Sequence, residues 1–227
     1  MSNNISVLLP GSFFEKDYQK KISYLSKNQV DCVYLFDHSI NPVDERKAVY
    51  DIKKALSLLQ ESSESNFKLG ICVLNINNRK KDLLFSNFIN PFMEIKDFRL
   101  GLGTGDNRYE NRTLNYANDL DAIISELVSE YTFSLNGRNL FIGGTSRKKK
   151  DLVSKYSIGI NQWLGNSNDL INLHKDLYIK DPLIGKFSQC IKTNDMGTSL
   201  PDSFEKIFIL KDMNTKKFFF EIDKIFL

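Results

Sequence analysis

Short apolar, β-branched runs alternate with longer stretches of helical periodicity along most of the chain, and this alternation is the feature that most restricts its fold. Strands joined through crossover helices must run the same way, so repeated strand-helix units demand a parallel sheet. Residues 5–9 form a first apolar run that stops at Pro10-Gly11, and a helix is predicted over 17–27 with Tyr18, Ile22 and Leu25 on one face. Residues 30–36 are apolar almost throughout, as a strand covered on both sides must be. The spacing of Val49, Ile52, Leu56 and Leu59 then predicts a helix over 44–60. The same reading gives strands at 67–74, 98–102, 139–142 and 156–163, with helices near 81–92, 114–131 and 147–155. Further on come a helix at 168–177 and short strands at 187–192 and 205–210. Phe218, Phe219, Ile222, Ile225 and Phe226 recur at helical spacing and predict a terminal amphipathic helix over 214–226, with a hairpin through Asp212-Met213-Asn214 as the alternative. Eight such strands make a (β/α)8 barrel of the TIM type. Because these barrels usually take about 250 residues, a chain of 227 implies a compact version whose seventh unit is shortened or degenerate. Neither an internal repeat nor a low-complexity linker interrupts the pattern, so residues 1–227 read as one domain.

Composition excludes several classes of function. The 31 basic and 28 acidic side chains are dispersed and leave a formal charge of +3, too little for a nucleic-acid partner. No window approaches the roughly 18 apolar residues of a membrane span, and the start of the chain lacks a basic segment followed by an apolar one. Cys32, Cys72 and Cys190 are odd in number and widely spaced, which reads as reduced thiols in a cytoplasmic protein. No set of histidine, cysteine or carboxylate has metal-ligand spacing, and no nucleophile has a recognisable base.

In a parallel barrel the active site forms from whatever follows each strand at its C-terminal end. Asp37-His38 ends the second strand. An imidazole there can move a proton or hold a substrate oxygen, with Asp37 fixing its tautomer, or it can simply cap the next loop. His174 reads as a solvated surface residue. The alternating glycines Gly101, Gly103 and Gly105 do not make a dinucleotide fingerprint, because the third required glycine falls at Asp106. They either remove side chains so that a flat ring can lie against backbone, or form a turn with no ligand. Gly143-Gly144-Thr145-Ser146 precedes a helix whose free N–H groups can bind phosphate, with Arg147 nearby; the alternative is a plain Ser146 cap. Lys148 to Lys150 read as solvent-facing.

Together these segments resemble the luciferase-like monooxygenase superfamily, above all the branch that uses the deazaflavin coenzyme F420. Val33-Tyr34-Leu35-Phe36-Asp37-His38, with Pro42 after it, is similar to that branch's strand-two motif. Phe98-Arg99-Leu100-Gly101-Leu102-Gly103-Thr104-Gly105, with Glu110 following, resembles its strand-four motif. Leu140-Phe141-Ile142-Gly143-Gly144 and then Lys155-Tyr156-Ser157-Ile158-Gly159-Ile160-Asn161 are similar to strand five and the entry to strand six. The sequence departs from the family at Asp106, at Ser157-Ile158 and in its much shorter part after Trp163. The resemblance implies FMN or coenzyme F420 bound across the barrel mouth, exchanging hydride with, or oxygenating, a small organic substrate. It places His38 against the reacting part, with Asp37 orienting it. Leu74 and Asn75 would back the ring beside an irregular peptide, Gly103 would lie against it, and Gly143, Gly144 and Thr145 would hold the phosphate. A homodimer is implied as well. The shortened end leaves one alternative, a catalytically silent relative that binds flavin or a partner subunit.

Overall fold

The computed structural model describes residues 4–41, 45, 49–62, 66–105, 110, 116–131, 139–195, 200–211 and 213–226. Eight strands pair in sequence order: β1 (Ile5–Leu8), β2 (Cys32–Leu35), β3 (Lys68–Asn75), β4 (Arg99–Gly103), β5 (Leu140–Gly143), β6 (Gly159–Trp163), β7 (Phe187–Lys192) and β8 (Glu205–Ile209). All are parallel, and β8 closes on β1, which gives the expected barrel. Around it lie α1 (Tyr18–Lys27), α2 (Ile52–Gln60), α3 (Lys81–Leu84), α4 (Asn90–Met93), α5 (Leu120–Glu130), α6 (Arg147–Tyr156), α7 (Ser167–Lys180) and α8 (Thr215–Phe226). The period-2 alternation of each strand divides the core. Val7 packs in the shell between sheet and helices, whereas Leu8 joins an inner cluster with Cys32, Tyr34, Cys72, Phe141, Cys190 and Ile207. Both strand faces are therefore apolar, and this is why the strands read as continuous runs.

Boundaries differ where side chains cap or break a helix. α2 begins at Ile52 rather than 44, because the Asp51 carboxylate accepts the Lys54 N–H at 2.9 Å and caps it. Val49 lies ahead of that helix; residues 42–44 and 46–48 of the predicted span fall outside the described residues. α5 begins at Leu120, capped by Asp119; residues 116–119 precede it, and 114–115 lie outside the described residues. The predicted helix at 81–92 is α3, a π turn over Phe85–Ile89 and α4, with Pro91, which has no N–H to donate, just after the widened turn. β6 starts at Gly159, not 156, because α6 runs on through Tyr156 and ends at Ser157, whose φ of 52° is left-handed. The seventh unit keeps a six-residue strand, and among the described residues no helix links it to β8. Residues 215–226 form the terminal helix and not the hairpin, burying Phe218, Ile222 and Ile225 and stacking Phe219 on Tyr24 of α1 at 4.1 Å; Asp212 of the alternative hairpin lies outside the described residues.

Strand β6 passes its neighbours at a point where only glycine fits. A Cβ on Gly159 would lie 2.4 Å from the Lys186 carbonyl oxygen and 3.0 Å from Phe141 Cβ. Backbone cannot swing aside as a side-chain tip can, so Gly159→Ala should cost about 1–3 kcal/mol. A denaturant melt checks this, and an unchanged midpoint would contradict the crowding.

Candidate functional site

A cavity of about 630 Å³ opens at the C-terminal mouth of the barrel. Its wall comes from the strand ends in turn: His38 after β2, Val73 and Asn75 on β3, Gly103 to Gly105 after β4, Gly143 and Gly144 after β5, and Asn161 and Trp163 on β6. Lys149 of α6 closes the side above β5. A second cavity of similar volume opens at the opposite, N-terminal end. His174 lines it and is not the solvated residue expected from sequence: its ring packs edge-on against Phe187 at 4.8 Å and Phe204 at 5.0 Å, and burial lowers its pKa. In parallel barrels chemistry belongs to the C-terminal end, so the upper cavity is the candidate site.

Asp37 and His38 divide in an unexpected way. The Asp37 carboxylate takes a two-pronged bond from Arg79, Nη1 to Oδ2 at 2.7 Å and Nη2 to Oδ1 at 2.9 Å, and also accepts the Asn75 N–H at 2.9 Å. It therefore ties the end of β2 to the end of β3 and is not the imidazole's orienting group. That part falls to Glu110, whose Oε1 is 2.7 Å from His38 Nδ1. Its Oε2 accepts the Ser39 hydroxyl at 3.2 Å. In the tautomer that donates through Nδ1 to Glu110, the ring carries its lone pair on Nε2, the arrangement of a base or acceptor. The pair is well covered, with side chains 15% and 10% exposed.

Burial by itself would raise the Glu110 pKa, but the hydrogen bond and charge of His38, helped by Asn78 and Ser39, outweigh it and hold the carboxyl below its usual value. The sign of the linkage follows. A carboxyl depressed in the folded state contributes stability above its unfolded value of about 4.3. That contribution is lost as pH falls through the lower folded value. The stability gap between the protein and its Glu110→Gln variant should therefore be full near neutrality and shrink below about pH 4. Denaturant melts across that range check it, and a gap independent of pH would contradict the pairing.

Gly103 and Gly143 leave room in the barrel wall for the Val73 side chain. A Cβ on Gly103 would sit 2.5 Å from Val73 Cγ2, and one on Gly143 2.8 Å from Val73 Cγ1. The peptide between Cys72 and Val73 is cis, and the β3–β4 register shifts between Ile71 and Leu74. Cys72, Val73 and Asn75 reach the cavity. Leu74 does not, contrary to expectation, because it points outward into the helix-side core and is fully buried there. Asn75 Oδ1 accepts the Asn77 N–H at 2.9 Å, and Asn77 Nδ2 donates to the Thr104 carbonyl at 3.0 Å, joining the loops after β3 and β4.

At the end of β5, Gly144 adopts a φ of +93°, which L side chains avoid. Thr145 is half-buried and lies beside the cavity without lining it; Ser146 is the α6 cap residue but makes no side-chain cap bond. The cation turned toward this turn is Lys149, read from sequence as solvent-facing. Its Nζ donates to the Gly143 carbonyl at 2.5 Å, and burial lowers its pKa. Arg147 and Lys148 do face solvent. Glu110, Arg79 and Lys149 are the residues that sequence reasoning did not assign to the site.

No family model and no curated protein matches the chain. Solved structures do. An F420-dependent secondary alcohol dehydrogenase, solved with an F420-acetone adduct, superposes with a TM-score of 0.62 over 99% of this chain and 84% of its own, at 12% identity. The coenzyme F420-dependent tetrahydromethanopterin reductase from Methanopyrus kandleri gives a TM-score of 0.57 over 85% of this chain and 67% of its own, at 13% identity. At these identities the likeness is one of fold. Both proteins depend on coenzyme F420, one of the two cofactors that the resemblance implies.

Proposed function

We propose that the chain is a deazaflavin-dependent oxidoreductase of the luciferase-like kind, acting on a small organic substrate. The observation that carries this reading is the His38–Glu110 pair on the rim of a cavity whose wall around Val73 is glycine. Gly103 and Gly143 make room for the Val73 side chain, which lines the cavity between them and offers an apolar surface against which a flat ring can lie. Bound there, the deazaflavin would supply hydride transfer. The protein's own part is to hold and orient. Asn75 and Asn77 present amide groups at the cavity edge, and Trp163, partly exposed, flanks its opening. His38, held by Glu110, would accept a proton from the substrate oxygen or return one through Nε2. Lys149 supplies an ammonium for a phosphate beside the turn at Gly144, whose own N–H is taken up by the Asn161 carbonyl at 2.7 Å. The choice of deazaflavin over FMN is supported by the two neighbours and by the Asp37-His38 motif.

Trp163 is the chain's single tryptophan and lines the cavity, so its emission reports occupancy. Titration with coenzyme F420 should quench it and saturate at one cofactor per chain, with weaker binding of FMN; no change with either would overturn the reading. Lys149→Met should weaken the phosphate-bearing cofactor about 10- to 100-fold, the value of a charged hydrogen bond of about 1.5–3 kcal/mol. A phosphate-free analogue should bind equally well to both proteins, and an equal loss for the two ligands would contradict the assignment of Lys149.

A further inference from the structure

Two thiols face each other on the floor of the cavity. Cys72 on β3 and Cys190 on β7 bring their Sγ atoms to 3.9 Å, and Cys190 Sγ lies 3.6 Å from Asn161 Oδ1. All three side chains are buried, while Cys72 and Asn161 also border the cavity. In the closed strand order β3 and β7 are four places apart of eight, so the sulfurs approach from opposite walls.

That placement separates two kinds of thiol chemistry by reach. A disulfide needs its sulfurs about 2.05 Å apart. To reach it the sulfurs would have to draw together from 3.9 Å within a packed cluster that also holds Leu8, Tyr34 and Phe141. Two metal–thiolate bonds of about 2.3 Å meeting at one ion can span any separation up to about 4.6 Å. The present 3.9 Å needs neither sulfur to move.

We propose that Cys72 and Cys190 form a binding site for a thiophilic cation of the Cu(I) class, with Asn161 Oδ1 as a weaker third donor. Soft sulfur donors favour Cu(I), which accepts two or three ligands, whereas zinc sites take four. Among the described residues no group of three or more His, Cys, Asp and Glu is placed to complete such a zinc site. Binding replaces the two thiol protons with one metal ion and releases both to solvent, so no oxidant is needed. The site does not depend on which cofactor the cavity takes, and its test uses the metal alone.

The reduced full-length protein would be given Cu(I) anaerobically in competition with a copper chelator, and the metal retained would be read by native mass spectrometry and by ultraviolet sulfur-to-copper absorption. One ion per chain is expected. Cys72→Ser and Cys190→Ser should each lose it, and Cys32→Ser, which alters a thiol outside the pair, should keep it. Circular dichroism would confirm that each variant is folded, and the absorption band of the unaltered protein gives a reading that needs no variant. Failure of the unaltered protein to retain copper, or retention by the doubly substituted protein, would overturn the site. So would a loss of two hydrogens from the intact mass on exposure to air, which would show that the walls close to a disulfide instead.

Discussion

His38→Ala should reduce turnover by about 10²- to 10⁴-fold, the usual contribution of a positioned acid-base group, while leaving deazaflavin affinity unchanged. The imidazole follows β2, whereas the glycines end β4 and β5 and Lys149 belongs to α6, so its removal takes away a proton carrier and leaves the wall around Val73 in place. Glu110→Gln should cost less, because the amide oxygen can still accept from Nδ1 and keep the ring in place without the charge. Asp37→Asn should act differently again. It weakens the two-pronged bond to Arg79 and loosens the junction of β2 and β3, so it should lower stability along with activity. Steady-state turnover, cofactor titration and thermal melts on the three variants distinguish these roles. A protein that only binds the cofactor would have no turnover for His38→Ala to remove.

Arg99→Met should lower stability by about 3–5 kcal/mol, the cost of leaving a buried charge without its partner. For a chain of this size that corresponds to a fall of roughly 10 °C in melting temperature. Arg99 lies inside the lower barrel with a side chain 6% exposed, Nη1 at 2.5 Å from Glu205 and Nη2 at 2.7 Å from Asp31. Glu205 is 4% exposed and also accepts from the Ser6 hydroxyl and from Tyr34. Without the guanidinium the cation left to it among the described residues is Lys186 at 4.0 Å, too distant for a good bond. Adding Glu205→Leu to the variant should restore part of the loss, since removing both charges is far cheaper than stranding one. If the single and double variants melted together, the carboxylate would not be the source of the cost.

The barrel was legible because parallel strands must be apolar on both faces and their helices must carry one apolar stripe, and both patterns survive in Val33 to Phe36 and in Leu120 to Leu127. Helix starts were less so, since Asp51 and Asp119 act through single hydrogen bonds that the periodicity of their neighbours masks. The site was legible in outline: His38, Asn75, Gly103, Gly143 and Gly144 line one cavity. Its details failed for reasons of geometry. Neighbouring residues in extended chain point to opposite sides, so Asp37 was a poor choice to hold the adjacent His38, and Leu74 had to face outward once Asn75 faced in. Lys149 was hidden in a run of like charges, although it shares a helical face with Leu152, Val153 and Tyr156, and that spacing was the available signal. Glu110 lay in a loop beyond the strand-four glycines, where no periodicity points at a partner.

A bound deazaflavin ring should lie against Val73 between Gly103 and Gly143, within reach of His38. A crystal structure with bound coenzyme F420 tests it most directly. The ring should lie on Val73 between the two glycines, the phosphate at Lys149, and His38 should still be joined to Glu110 while facing the ring. Density for the cofactor in the N-terminal cavity, or a cofactor held at the mouth with its ring turned away from Val73, would contradict it.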